Sequence, residues 1–402
     1  MVSLNETPRA ERVHIALFGI TNAGKSSLIN ALTDQEIALV SDVKGTTTDP
    51  VYKAMELSPI GPVVLIDTAG LDDRSELGEL RKEKTLEVLN KTDVAILVCD
   101  AQAGITDFDR EILQLLKEKK IPLVGVINKL DLLAESEVKL KKYAQKLGIK
   151  LVGVSTYTGE GLKELKEALI KIVPEDKNKF SIIGDLISPG DFVVLVIPLD
   201  ESAPKGRLIL PQQQTLRDIL DHNAVAIATK EDQVKETLSN LGKKPRLVIT
   251  DSQAFGKVSV QIPEDVPLTS FSILFARHKG DLKELVKGAQ AVSKLKDGDK
   301  ILIAEACTHH RQSDDLGTVK IPRWLKQKTG KELVFEHSSG YSFPDNVQDY
   351  DLIIHCAGCM LNRKAMLYRI NQAIEAGVPI VNYGVLIAYL HGILDRALEP
   401  FK

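Results

Sequence analysis

The chain alternates short apolar runs with glycine-bearing loops and stretches of helical spacing, and this rhythm recurs over most of its length. Residues 13–18, VHIALF, are a β-prone run that stops at Gly19, and from Ser26 to Leu32 apolar positions return at helical spacing. Val63 to Ile66 and the run LVGVIN before Lys129 read as further strands. An amphipathic stretch, GLKELKEALIKIVP, then gives way to the polar, proline-led segment 174–179, which places a domain boundary near residue 176. From there to about residue 270, apolar runs such as DFVVLVIP, AVAIAT and RLVIT alternate with the helical patterns QQQTLRDILDHN and QVKETLSNLG, predicting a small α/β unit. In the remainder, Lys300 to Ala304, ELVFEH, DLIIHC and PIVNYG read as strands, with helices over KIPRWLKQKTG and from Ala365 to Gly377. That order predicts a parallel α/β domain with a ligand crevice at the carboxyl ends of its strands. The expected division is 1–175, 176–270 and 271–402.

A length of 402 residues fits two to three domains, and 44% apolar residues can supply a core for each. The net charge of −3 carries no standing bias toward a polyanion, so stable nucleic-acid binding is not expected. The first residues, MVSLNETPRA, lack the basic start and apolar run of a secretory signal, and no run approaches the ~18 apolar residues of a membrane span. A soluble, cytoplasmic protein without membrane contact is the expectation. Four cysteines are few for a disulfide framework in so long a chain, and a reducing compartment favours metal or catalytic uses.

Between the first strand and helix, Gly19-Ile-Thr-Asn22-Ala23-Gly24-Lys25-Ser26 is a G-x-x-x-x-G-K-S loop, followed by Ser27. Backbone N–H groups of such a loop cradle phosphates, the lysine reaches the β and γ oxygens, and the serine hydroxyl meets magnesium. Asn128-Lys129-Leu130-Asp131 then selects the base. An aspartate there accepts hydrogen bonds from N1–H and the 2-amino group of guanine, and adenine has neither donor. Asp67-Thr-Ala-Gly70 closes the strand between them, suiting an aspartate that reaches magnesium through water and a glycine N–H on the γ-phosphate. Within Gly45-Thr-Thr-Thr48-Asp49, Thr47 is the expected switch-loop hydroxyl for magnesium, and Ser155 lies where a short loop would meet guanine. The expected ligands are therefore GTP and Mg2+.

The cysteines form a second constellation. Cys307 follows the strand ending at Ala304, and His355-Cys356-Ala-Gly-Cys359 follows DLII, so the expectation is that two strands deliver three thiols to one sheet edge. With His309, His310 or His355 these thiols would suit a Cys3His zinc site, and equally a 4Fe-4S cluster with one iron left for another ligand. A thioredoxin-like redox pair is a third reading. Glu305, two residues before Cys307, is an oxygen donor on the same strand face if the extension continues. Cys99, within VAILVCD, reads as a buried apolar residue.

The first ~170 residues resemble the translation-factor-related GTPases typified by the tRNA-modification GTPase and its ribosome-assembly relatives. G-T-T-x-D, D-T-A-G and N-K-x-D occur in order, and Leu71 stands where Ras-like proteins carry a water-orienting glutamine. The resemblance implies K+ activation through Asn22 and offers Glu79, over a poorly aligned loop, as a residue that orients water. Over the whole chain, Cys307-Thr-His309 and His355-Cys356-Ala-Gly-Cys359 resemble the C-x-H and H-C-x-x-C signature of the FeFe-hydrogenase maturation GTPases. That resemblance implies a GTPase domain, a dimerisation domain and a cluster-binding domain, in that order. It further implies a 4Fe-4S cluster on Cys307, Cys356 and Cys359, with Glu305, His309 or His355 as fourth ligand or as support behind the ligands. The implied role is a scaffold that receives a di-iron precursor built by two radical S-adenosylmethionine maturases, HydE and HydG, and delivers it to apo FeFe hydrogenase. A homodimer or higher homo-oligomer is expected with it. The alternative from another class is a potassium-activated GTPase of tRNA modification or ribosome assembly with a structural zinc.

Overall fold

A computed structural model describes residues 7–33, 50–68, 78–133, 136–174, 181–198, 208–306, 315–340, 343–344 and 346–402. The chain divides into two compact units, Met1–Asp176 and Lys177–Lys402.

The first unit is built on β1 (Val13–Phe18), β2 (Val51–Leu57), β3 (Gly61–Asp67), β4 (Val94–Asp100), β5 (Leu123–Asn128) and β6 (Leu151–Gly153). Its helices are α1 (Lys25–Thr33), α2 (Gly78–Lys91), α3 (Asp107–Glu118), α4 (Ser136–Leu147) and α5 (Leu162–Ile172). The sheet order is β2-β3-β1-β4-β5-β6, parallel except for β2 against β3. Period-two alternation sorts each central strand onto two cores. Val94, Ile96 and Val98 pack with Leu28 of α1 and Leu165 of α5, whereas Ala95, Leu97 and Cys99 pack with Val88 of α2 and Ile112 of α3. Burial pushes the Cys99 thiol up, reinforced by nearby Asp109, as suits a packing residue. Because β1 has β3 on one side and β4 on the other, its carboxyl end lies where the winding reverses, the usual place for a crevice.

The second unit contains two four-stranded parallel sheets. The first, ordered β10-β9-β7-β8, comprises β7 (Phe192–Val196), β8 (Val225–Thr229), β9 (Leu247–Thr250) and β10 (Leu268–Ser270). Helices α6 (Leu210–Asp221), α7 (Val234–Asn240) and α8 (Phe255–Val258) connect them, and α9 (Phe271–Lys279) and α10 (Leu282–Ala291) follow. The second sheet, ordered β12-β11-β13-β14, comprises β11 (Lys300–Glu305), β12 (Val334–Ser339), β13 (Leu352–His355) and β14 (Ile380–Asn382). Helices α11 (Ile321–Thr329), α12 (Arg363–Glu375), α13 (Tyr383–Leu390) and α14 (Leu394–Leu398) complete it.

One apolar core joins Val194 and Val248 of the first sheet to Ile303 and Ile354 of the second through Val385–Ala388 of α13. Helix α9 is buried over most of its surface. It gives Ile273 to that shared core, Phe271, Leu274 and Phe275 to the outer face of the first sheet, and Ala276 to the outer face of the second. The run PIVNYG, expected as a strand, is strand only to Asn382, whose side chain accepts the Val385 N–H at 2.9 Å and starts α13 at Tyr383.

Candidate functional site

The loop after β1 turns into α1 at Lys25, and it needs its glycine. Gly24 has φ +86°, and a Cβ there would lie 2.2 Å from Asn128 Nδ2. Asn128, at the end of β5, donates to the Ala23 carbonyl at 2.9 Å, so the base-reading motif is tied directly to the phosphate loop. Lys25 Nζ donates to the carbonyls of Gly19 at 2.7 Å and Ile20 at 3.0 Å. Ser26 donates to the Asp67 carboxylate, whose other oxygen is buried with no partner among the described residues. A hydroxyl beside a carboxylate oxygen of this kind is a donor set for a hard divalent cation, and it fits Mg2+. The loop and Lys129 border a cavity of about 450 Å³ that also takes in Asn22, Gly24 and Ser27.

In the Asn128–Asp131 motif, Asp131 accepts the Ser155 hydroxyl at 2.5 Å, and that hydroxyl also accepts the Thr158 N–H at 3.1 Å. Ser155 thus orients the aspartate from the neighbouring loop. Lys129 has a left-handed backbone, φ +63°, and its ammonium meets Asp100 Oδ2 at 2.6 Å. Although burial opposes it, the Lys129 ammonium with the N–H groups of Gln102 and Ala103 holds the Asp100 carboxyl below its ordinary range. Sequence reasoning passed over Asp100, and an acidic residue closing a strand immediately before a helical turn was the available signal. Thr47 and Gly70 lie outside the described residues, and Glu79 belongs to α2 with its side chain likewise outside.

The second site begins at the ends of β11 and β13. These strands pair in parallel with Ala304 opposite His355, and the Cys356 N–H extends the ladder by donating to Ala304 O at 3.0 Å. The Cys356 sulfur accepts N–H groups from Ala306 at 3.2 Å and Gly358 at 3.4 Å. Ala306, the donor of one of these bonds, immediately precedes Cys307 in the sequence. Cys307 and His309 themselves lie outside the described residues. Among the described residues, no three His, Cys, Asp or Glu side chains gather as a metal-binding group.

Both nitrogens of the buried His355 ring are engaged. Arg369 donates to Nε2 at 2.8 Å, which leaves the proton on Nδ1, 2.7 Å from the Cys356 carbonyl. This arrangement supports the loop from behind. Glu305 Oε1 accepts the Tyr383 hydroxyl at 3.0 Å, and burial, with Glu305 and Cys356 nearby, pushes that hydroxyl well up. Glu305 is therefore on the cysteine side of the sheet end, its carboxylate held in place by a group that sequence reasoning did not single out.

Comparison with known proteins follows the same division. Residues 14–129 match the 50S ribosome-binding GTPase family, residues 182–280 the hydrogen maturase F dimerization domain, and residues 283–400 the hydrogen maturase F tetramerization domain. Over 172 residues the chain is 41% identical to the tRNA modification GTPase MnmE of Carboxydothermus hydrogenoformans, covering 42% of this chain and 36% of that protein. Over 168 residues it is 36% identical to the GTPase Der of Nautilia profundicola, covering 40% and 36%. The chain thus spans about a third of the length of these curated relatives. Among solved structures, the G domain of the T. maritima FeoB iron transporter matches with a TM-score of 0.32 and 28% identity, covering 41% of this chain and 100% of that one. Among the described residues no helix is long and apolar enough to cross a membrane. The two maturase domains together occupy more than half of the chain and stand, in order, behind a GTPase domain, and on that ground the chain belongs to the hydrogen maturase F family.

Proposed function

We propose that this GTPase is a cytoplasmic scaffold that carries a 4Fe-4S cluster on Cys307, Cys356 and Cys359 and delivers a di-iron precursor to apo FeFe hydrogenase. The observation that carries the cluster is the Cys356 sulfur, which accepts two backbone N–H groups, one from the residue before Cys307. N–H donors on sulfur stabilise thiolate and are a recurring means of tuning iron–sulfur centres, so these residues fit the group. A cluster on three thiolates supplies an iron position open to an exchangeable ligand. Tyr383 holds the Glu305 carboxylate and Arg369 orients His355, and Glu305, His309 or His355 would supply the fourth ligand or support behind the ligands.

In the first domain, Lys25 leaves the loop carbonyls for the β and γ phosphates, Ser26, Thr47 and Asp67 hold Mg2+, and Gly70 meets the γ-phosphate. Asn128, Lys129 and Asp131, oriented by Ser155, bind guanine. Asn22 contributes to a K+ site and Glu79 orients water. Nucleotide binding at the segments 46–48 and 67–70 then alters contacts with partners, HydE, HydG and apo hydrogenase. The names of the two C-terminal domain families support a homo-oligomer. The functional limits proposed are 1–175, 176–270 and 271–402. The tRNA-modification alternative rests on the first domain alone.

Metal and sulfide analysis with EPR on anaerobically reconstituted full-length protein tests this reading beside Cys307→Ala. About four iron and four sulfide per chain, lost in the variant, are expected. Stoichiometric zinc with no capacity to assemble a cluster would overturn it.

A further inference from the structure

The cysteine loop is held by a cation that comes from a different part of the fold. Lys279 is the last residue of α9 and only 1% exposed, and its ammonium donates to the carbonyls of Cys359 at 3.2 Å and Leu361 at 3.1 Å. It also lies 5.6 Å from the ring centroid of Phe275, one turn earlier. The loop between them is a closed turn, with Gly358 N–H on the Cys356 sulfur and Leu361 N–H on Gly358 O at 3.0 Å. Helix α9 starts directly after β10, its first turn capped by Ser270, whose hydroxyl accepts the Ile273 N–H at 3.2 Å. Helix α9, buried over most of its length, therefore runs from the sheet of the dimerization-domain match to the cysteine turn of the tetramerization-domain match.

Burying an ammonium is unfavourable unless its donors are used, and a methionine would fill much the same volume without that penalty. We propose that Lys279 is a positioning residue for the cluster, fixing the turn that carries Cys356 and Cys359 and placing a positive charge beside the anionic thiolates. The inference rests on the cluster reading above. A cation at this place stabilises the reduced, more negative state, so removing it favours the oxidised state. For a unit charge at this distance range and an effective protein dielectric of about 20, the expected change in the oxidised-to-reduced ratio is on the order of tenfold.

Full-length wild type, Lys279→Met, Lys279→Gln and Lys279→Arg are reconstituted anaerobically with ferrous iron and sulfide and titrated reductively with EPR detection. In parallel, amide hydrogen exchange of the 358–361 turn is followed in the metal-free proteins, with GTP turnover as the check on folding. Met and Gln are expected to raise the oxidised-to-reduced ratio at fixed potential about tenfold, about 59 mV for one electron. Arg is expected to restore the wild-type ratio, and Met to speed exchange of Gly358 and Leu361 about tenfold. Gln keeps amide donors for the carbonyls, so it carries the test of charge if Met fails to fold. An unchanged ratio in a folded, cluster-bearing Gln variant overturns the electrostatic role, and unchanged exchange in Met overturns the tie to the turn. Failure of the wild type itself to take up iron and sulfide overturns the cluster reading instead, and the exchange comparison still decides whether Lys279 holds the turn.

Discussion

Replacing Asp100 by Asn tests how the base-reading end of the nucleotide site is held ready. The carboxylate accepts Lys129 at 2.6 Å and the N–H groups of Gln102 at 2.7 Å and Ala103 at 3.2 Å. Asparagine keeps an oxygen for the two N–H groups and removes the charge that faces Lys129. The Lys129 side chain is 30% exposed and that of Asp100 10%, so the pair is neither fully wet nor fully dry. Exposed pairs are worth about 0.2–1 kcal/mol and hydrogen bonds to charged groups about 1.5–3, which brackets this pair at about 1–2 kcal/mol. Lys129 borders the cavity, and once released it must be ordered again when nucleotide binds. At about 1.4 kcal/mol per tenfold, the expected cost is roughly a 5- to 30-fold rise in the Kd for GDP. Titration calorimetry on Asp100→Asn, Lys129→Met and the double variant measures it. In the Met background the Asn substitution should change affinity by less than about twofold, because the interaction is already gone. Equal effects in both backgrounds, or a wild-type Kd in Asp100→Asn at unchanged Tm, would refute the reasoning.

Three further outcomes follow from the geometry. Asp131→Asn should weaken GTP binding at least ~100-fold and recover affinity for xanthosine triphosphate, since the amide donates where guanine also donates; a loss under tenfold contradicts the assigned role. Gly288→Ala places a Cβ 1.9 Å from the Ile380 carbonyl, so α10 must move off β14. A loss of about 3 kcal/mol in denaturant unfolding is expected, and an unchanged midpoint excludes the close approach. The Asp100 carboxyl, held below its ordinary value in the folded chain, contributes stability that is complete above its unfolded pKa near 3.9 and lost as pH falls through the folded value. The stability gap between wild type and Asp100→Asn should therefore be flat from about pH 5 to 8 and shrink below about pH 4; a gap constant down to about pH 2.5 would sink this.

Local sequence determined most of the α/β elements and the order of the nucleotide motifs, because strand and helix periods and the G-x-x-x-x-G-K-S loop act over a few residues. Phe192–Val196, Leu247–Thr250 and Leu352–His355 are apolar runs bounded by polar segments, legible without a fold. Helices α9 and α13 were not legible. Residues 271–279 and 383–390 are buried nearly all round, so they show no polar face, and only packing between two sheets makes them helices. The cysteine spacing announced a site, but its surroundings come from distant parts of the chain. Lys279, Arg369 and Tyr383 reach the turn across 80, 14 and 78 residues measured to Cys359, His355 and Glu305. A buried cation or hydroxyl of this kind leaves no periodic or motif trace. Its meaning depends on which carbonyl, ring nitrogen or carboxylate the fold sets against it, and tertiary structure alone decides that.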